Sequence, residues 1–107
     1  MRMSAHAQHF EVVLAHLDGY VRVKLRGDLD YEATTTYAEA LQEITDLRTR
    51  VVLDLAELHF IDSAGISFLV RLAQIHEGPL RLMNAPAAVA RVLVLTGLAE
   101  VFDLDVE

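Results

Sequence analysis

The chain has no cysteine among its 107 residues, so a disulfide framework and a thiol switch are both excluded. Bases are scarce, nine against sixteen acids, and the formal net charge of −7 makes a surface that repels phosphate backbones. Nucleic acid is therefore not an expected partner. No apolar run approaches the ~20 residues of a membrane span, the longest being broken by Arg91, so no membrane association is expected. Met1 to Gln8 lacks the apolar core of a signal peptide, and a cytoplasmic location is expected. The five histidines, His6, His9, His16, His59 and His76, are scattered without zinc-ligand spacing. A phosphate-cradling glycine loop and a dinucleotide fingerprint are both missing. Ser63 does not sit in a nucleophile elbow, because Ile61 stands where the first glycine of G-x-S-x-G belongs. Asp30 and Asp62 would serve as acid and base if they met in a pocket, but helix capping accounts for both. The expectation is a protein without enzymatic activity and without a cofactor.

What is present is apolar. Hydrophobic residues make up 53% of the chain, enough for one packed core at this length. Residues 1–9 carry little patterning and read as a mobile start, leaving 10–107 as a single domain. Phe10 to His16 is rich in strand formers, and Tyr20 to Arg26 alternates, with Val21, Val23 and Leu25 on one face. Asp18-Gly19 between them predicts a tight turn and hence a hairpin. Arg22, Lys24 and Arg26 then share the other face, read as the solvated side of a half-buried strand. Gly27-Asp-Leu-Asp30 reads as a break, with Asp30 as the N-cap of a helix over Tyr31 to Asp46. Arg50-Val-Val-Leu-Asp-Leu55 lacks alternation and predicts an interior strand covered on both faces. Leu80 to Met83 is a further strand, and a last helix over about Ala87 to Leu95 stops at Thr96-Gly97. Val101 to Leu104 offers a final strand. The order β-β-α-β-α-β-α-β predicts an α/β fold, a single mixed β-sheet packed with α-helices joined by crossovers.

The stretch that organises this order runs from Asp54 to Val70. It reads as the end of a buried strand, a short loop, and a helix from about Ala64 to His76. Ile66, Leu69, Val70 and Ala73 follow helical spacing and are expected to face the core, with Phe68 and Arg71 off that stripe. Ser63 then falls at or beside the helix N-terminus, where unpaired N–H groups and the helix dipole favour a phosphate. Gly65 beside it leaves room for a partner's backbone.

The segment Phe60-Ile-Asp-Ser-Ala-Gly-Ile-Ser-Phe-Leu-Val70 resembles the signature of STAS domains, the module named for sulphate transporters and anti-sigma-factor antagonists. Gly27-Asp-Leu-Asp30 is similar to the loop before the first helix of that fold. Asn84-Ala-Pro86 with Leu95-Thr-Gly-Leu-Ala-Glu-Val-Phe102 is similar to the tail of bacterial anti-sigma-factor antagonists. The resemblance implies the STAS-like fold over about residues 10 to 104, with Ser63 matching the family's phosphoacceptor. Ala64 departs from the Ser or Thr often found next to it. Partner contacts are expected at Asp30, Asp62, Ser63, Ala64, Gly65 and Ser67. The implied function is that of an anti-sigma-factor antagonist in a partner-switching pathway. Its unphosphorylated form would bind an anti-sigma factor with serine kinase activity, freeing the sigma factor. Phosphorylation of Ser63 would release it, and a PP2C-type phosphatase would restore binding. The alternative implied by the same resemblance is a non-phosphorylated STAS subunit of a lipid-transport ATPase complex.

Overall fold

The computed structural model describes residues 10–76, 79–101 and 103–105. The expectation for residues 1–9 lies outside these. Phe10 is buried and packs edge-on against Tyr37, with ring centroids 5.5 Å apart. The hairpin forms as the turn chemistry dictates. Strands β1 (Glu11–Leu17) and β2 (Tyr20–Leu29) pair antiparallel around Asp18-Gly19, where Gly19 takes a φ of 88°. Then β2 pairs in parallel with β3 (Arg50–Asp54), which pairs with β5 (Leu80–Met83), which pairs with β6 (Asp103–Asp105). The strand order β1-β2-β3-β5-β6 puts β3 in the interior of a mixed sheet, as its apolar run predicts.

Its two faces differ from expectation. Val21, Val23, Leu25, Val51, Leu53 and Leu82 point to one side and are buried beneath the helices. On the other side stand Tyr20, Arg22, Val52 and Met83, half-buried, with Arg26, Arg50 and Arg81 exposed. Thus β3 is covered on one face only, and the unbroken run Val51-Val-Leu53 reflects a tolerated valine on the open side.

Three further departures shape the functional end. Rather than breaking at Gly27, β2 runs on to Leu29 through an irregularity at Gly27/Asp28, with Gly27 at a φ of 97°. That extension pairs with β4 (Leu58–Ile61), a strand inside the stretch read as a loop. The helix expected over Tyr31 to Asp46 is two, α1 (Tyr31–Thr36) and α2 (Ala38–Asp46), parted at Tyr37 with φ −108° and ψ 29°. Thr34-Thr-Thr36, three β-branched residues of low helix propensity, precedes that break. Lastly, α3 (Ser63–Ile75) buries Gly65, Phe68, Leu69 and Leu72. The core stripe is therefore turned by one residue from the expected one. Leu69 belongs to both, Ile66 and Ala73 are half-buried, Val70 is 36% exposed, and Phe68 is a core residue at 3%. With α4 (Ala87–Leu95) and the short α5 (Leu98–Val101), the element order is longer than predicted but keeps its alternation.

Candidate functional site

Two parallel strands that end in register deliver two helix N-termini to one place. Leu29 at the end of β2 is the register partner of Ile61 at the end of β4. The next residue of each chain segment, Asp30 and Asp62, leaves its strand in extended conformation and caps the helix that follows. Asp30 Oδ1 accepts the N–H of Ala33 at 2.8 Å. Asp62 Oδ1 accepts the N–H groups of Ala64 and Gly65 at 2.9 and 3.1 Å. Asp62 Oδ2 reaches across to accept the N–H of Tyr31, the first residue of α1, at 3.1 Å. One carboxylate therefore serves the N-termini of α1 and α3 together. The approach of Asp30 and Asp62, conditional in the sequence, occurs at the carboxyl ends of parallel strands, where α/β sheets place their sites.

Ser63 is the first residue of α3 and is exposed. Asp30, Asp62 and Ala64 are half-buried, and Ser67, one turn along the helix, is exposed. Gly65 is buried. A methyl group there would lie 2.2 Å from the carbonyl oxygen of Leu29 and 2.8 Å from the Ile61 side chain. The space that glycine leaves is thus filled from within, by the strand ends that α3 packs upon. The electrostatics also differ from the sequence reading. The N–H groups of Ala64 and Gly65, expected to be open to a phosphate, are already taken by Asp62. A phosphate on Ser63 would meet a carboxylate beside it.

A buried carboxylate, Asp54, secures the surrounding loops and was not singled out by sequence reasoning. Only 1% exposed, it accepts from Arg22 Nε at 3.2 Å and also from Arg22 Nη2. It further accepts from the N–H of Ala56 at 3.0 Å and the amide of Asn84 at 3.2 Å. Burial alone would raise the Asp54 carboxyl, but the Arg22 guanidinium and the two amides outweigh it and hold it below the usual carboxylate range. This fixes the turn entering β4 and the loop where Asn84 adopts a φ of 63°. The signal was available: a carboxylate closing an apolar strand, opposite a base on its neighbour. Lys24 and Arg26 both pair with Glu57 in the same turn, and Lys24 first of all lowers the Glu57 carboxyl. The three bases of β2 are therefore ion-paired rather than simply solvated. Two exposed aromatics near the caps were also missed, Tyr31 at 71% and Phe60 at 50%. An aromatic directly after a capping Asp is the signal for the first.

Among the described residues, no group of three or more His, Asp or Glu is placed to hold a metal ion, and no helix is long and apolar enough to cross a membrane. A family model described as the STAS domain matches residues 11–107. Solved structures of the same fold include an anti-sigma factor antagonist from Mycobacterium paratuberculosis, 21% identical with a TM-score of 0.78, covering 96% of this chain and 90% of that one. The anti-sigma factor antagonist SpoIIAA in its unphosphorylated form is 21% identical, with a TM-score of 0.65 over 91% of this chain and 90% of that one. The Bacillus cell fate determinant SpoIIAA in its phosphorylated form is 17% identical, with a TM-score of 0.64 over 91% and 93%. At these identities the likeness is one of fold.

Proposed function

The chain belongs to the STAS domain family, and from that premise we propose that it is an anti-sigma-factor antagonist switched by phosphorylation of Ser63. The observation that carries this reading is the exposed hydroxyl on the first residue of α3, set beside a carboxylate that already bonds the helix N–H groups. In the unphosphorylated state Ser63 is small and uncharged, so a partner surface can close over the double cap. Tyr31 and Phe60 offer apolar anchors beside it. A phosphate adds about −1.5 to −2 charges and three acceptor oxygens. With Asp62 occupying the N–H groups of Ala64 and Gly65, most of that charge has no donor in the first turn and faces a carboxylate instead. Docking then requires desolvating like charges, and every ~1.4 kcal/mol so lost weakens the complex tenfold. The switch works without refolding the domain, because the caps and the core are left in place.

The partner in this reading is an anti-sigma factor with serine kinase activity of the GHKL type. ATP and Mg²⁺ are the kinase's, and a PP2C-type phosphatase with its own metal reverses the step. This chain is substrate and ligand, not catalyst. A pull-down from the native cell with the wild-type chain, followed by identification of the bound ATPase, tests the reading. Recovery of a kinase-type anti-sigma factor supports it. Recovery of a lipid-transport ATPase with no kinase would instead assign the chain to the transport role.

A further inference from the structure

The sheet ends in two outer strands that are built differently. At one side stands β6, three residues long with an Asp at each end, short and charged in the way that blocks further pairing. At the other stands β1, seven residues long, Glu11-Val-Val-Leu-Ala-His-Leu17, with no Lys and no Pro. It pairs with β2 through seven consecutive residues without a register shift, so no bulge twists its edge away. Among the described residues no strand pairs with its outer side, where alternate N–H and C=O groups of an antiparallel edge point away from the sheet. Its side chains are incompletely covered too. Val13, Ala15 and Leu17, register partners of Lys24, Arg22 and Tyr20, are exposed on the open face. Val12 and Leu14, on the helix side, are half-buried at the margin of the core. The uneven spread of charge narrows what can meet this strand. Residues 11–26, the hairpin, carry three bases and two acids, whereas the other residues carry six bases and fourteen acids. Glu11, the one acid on β1, is bonded by Arg26 at 2.9 Å. Residues 1–9, which lead into the strand, add one base and no acid. Two copies of a chain at −7 repel each other over most approaches, and this edge is where they do so least.

We propose that β1 pairs with β1 of a second copy of this chain, antiparallel about a two-fold axis at Leu14, so that two sheets join into one. A seven-residue strand pairs with itself over its whole length only when its middle residue meets its own copy. In that register Val12 faces His16 of the second copy, Val13 faces Ala15 and Glu11 faces Leu17, so no like charges stand opposite. The two Leu14 side chains meet and close the margins of both cores. Ser63 lies beyond the end of β4, outside this seam, and stays open in both copies. The test is sedimentation equilibrium of the full chain between micromolar and millimolar concentrations, with amide hydrogen exchange of β1 at both limits. A reversible monomer–dimer equilibrium is expected, in which the outward amides of β1 gain protection as the dimer forms. Leu14→Glu and Leu14→Lys, each checked for folding by circular dichroism, should weaken self-association severalfold or more, since like charges then face each other. An equimolar mixture of the two should recover the dimer as a heterodimer, because position 14 meets only itself. Ala15→Glu, at an exposed position beside Arg22, repeats the test without touching the core and should also weaken the dimer, by setting two acids diagonally across the seam. Val94→Glu, a like change at an exposed apolar residue of α4, should leave it unaltered. A monomer throughout the range, a dimer indifferent to both Leu14→Glu and Ala15→Glu, or a mixture of the folded Leu14 variants that fails to associate would overturn the proposal. So would protection of every β1 amide in a monomer at all concentrations, which would show the edge to be covered within one chain.

Discussion

The two strand–Asp–helix junctions, Leu29-Asp-Tyr-Glu-Ala33 and Ile61-Asp-Ser-Ala-Gly65, are in register and share one plan, yet they end differently. Each begins with a strand end, continues with a capping Asp, and places a buried residue at the third helical position, Ala33 in one and Gly65 in the other. The Asp30 junction opens a helix of six residues and makes one cap bond. The Asp62 junction opens a helix of thirteen and makes three bonds, one of them to the other junction. Capping alone explains the first. In the second, the cap is shared, the first helical residue is a small exposed hydroxyl, and the third has no side chain. The comparison shows how a common structural device becomes a candidate switch: the chemistry lies in the residues around the capping Asp, not in the Asp itself.

The largest expected effect separates the third positions. Gly65→Ala sets a methyl group against the Leu29 carbonyl, and the forced shift of α3 should cost about 1–3 kcal/mol or more. The mirror change, Ala33→Gly, should cost only about 0.5–1 kcal/mol of helix propensity plus the contacts of one buried methyl. Urea denaturation of the two variants ranks them, and equal losses would mean that the strand ends do not hold α3 as closely as the geometry requires.

The caps come next. Asp62→Ala removes three accepted bonds and should cost about 1–3 kcal/mol, against about 0.5–2 for Asp30→Ala. Because Asp62 also holds the N–H of Tyr31, its loss should speed amide hydrogen exchange in the first turn of α1 as well as α3. Loss of Asp30 should loosen α1 alone. Exchange confined to α3 in the Asp62 variant would break the picture of a shared cap.

How much of this was legible in the sequence follows from what each signal depends on. The hairpin, β3 and the ends of α4 rest on local chemistry, an Asp-Gly turn, an apolar run and a Thr-Gly stop, and these were readable. Asp30 and Asp62 were readable as caps for the same reason. The pairing of Gly27–Leu29 with β4 was not, since neither short segment alternates and each gains its structure only from the other. The face of α3 was ambiguous because Ile66, Leu69, Val70 and Ala73 and the set Gly65, Phe68, Leu69 and Leu72 both satisfy helical spacing. The close contact of Gly65 with Leu29 decides between them, and that contact is tertiary. The bond from Asp62 to Tyr31 spans thirty-one residues and has no sequence trace.

A subtler change sharpens the roles of the two carboxylates. Asp30→Asn keeps an effective cap and removes a charge, so stability should move by only a few tenths of a kcal/mol. If Asp30 belongs to the proposed partner surface, the affinity for the proposed kinase should fall and its phosphorylation of the chain should slow in this variant. Unchanged affinity and rate would leave Asp30 a cap and nothing more.

The most direct measurement incubates the chain with Mg-ATP and the anti-sigma kinase proposed as its partner, locates any phosphate by mass spectrometry, and compares the kinase affinity of the two forms. One phosphate on Ser63, a severalfold or greater loss of affinity on phosphorylation, and an unmodified but kinase-binding Ser63→Ala are the predicted results. Phosphate entering Ser63→Ala at the wild-type rate, or equal affinities for the two forms, would contradict the account.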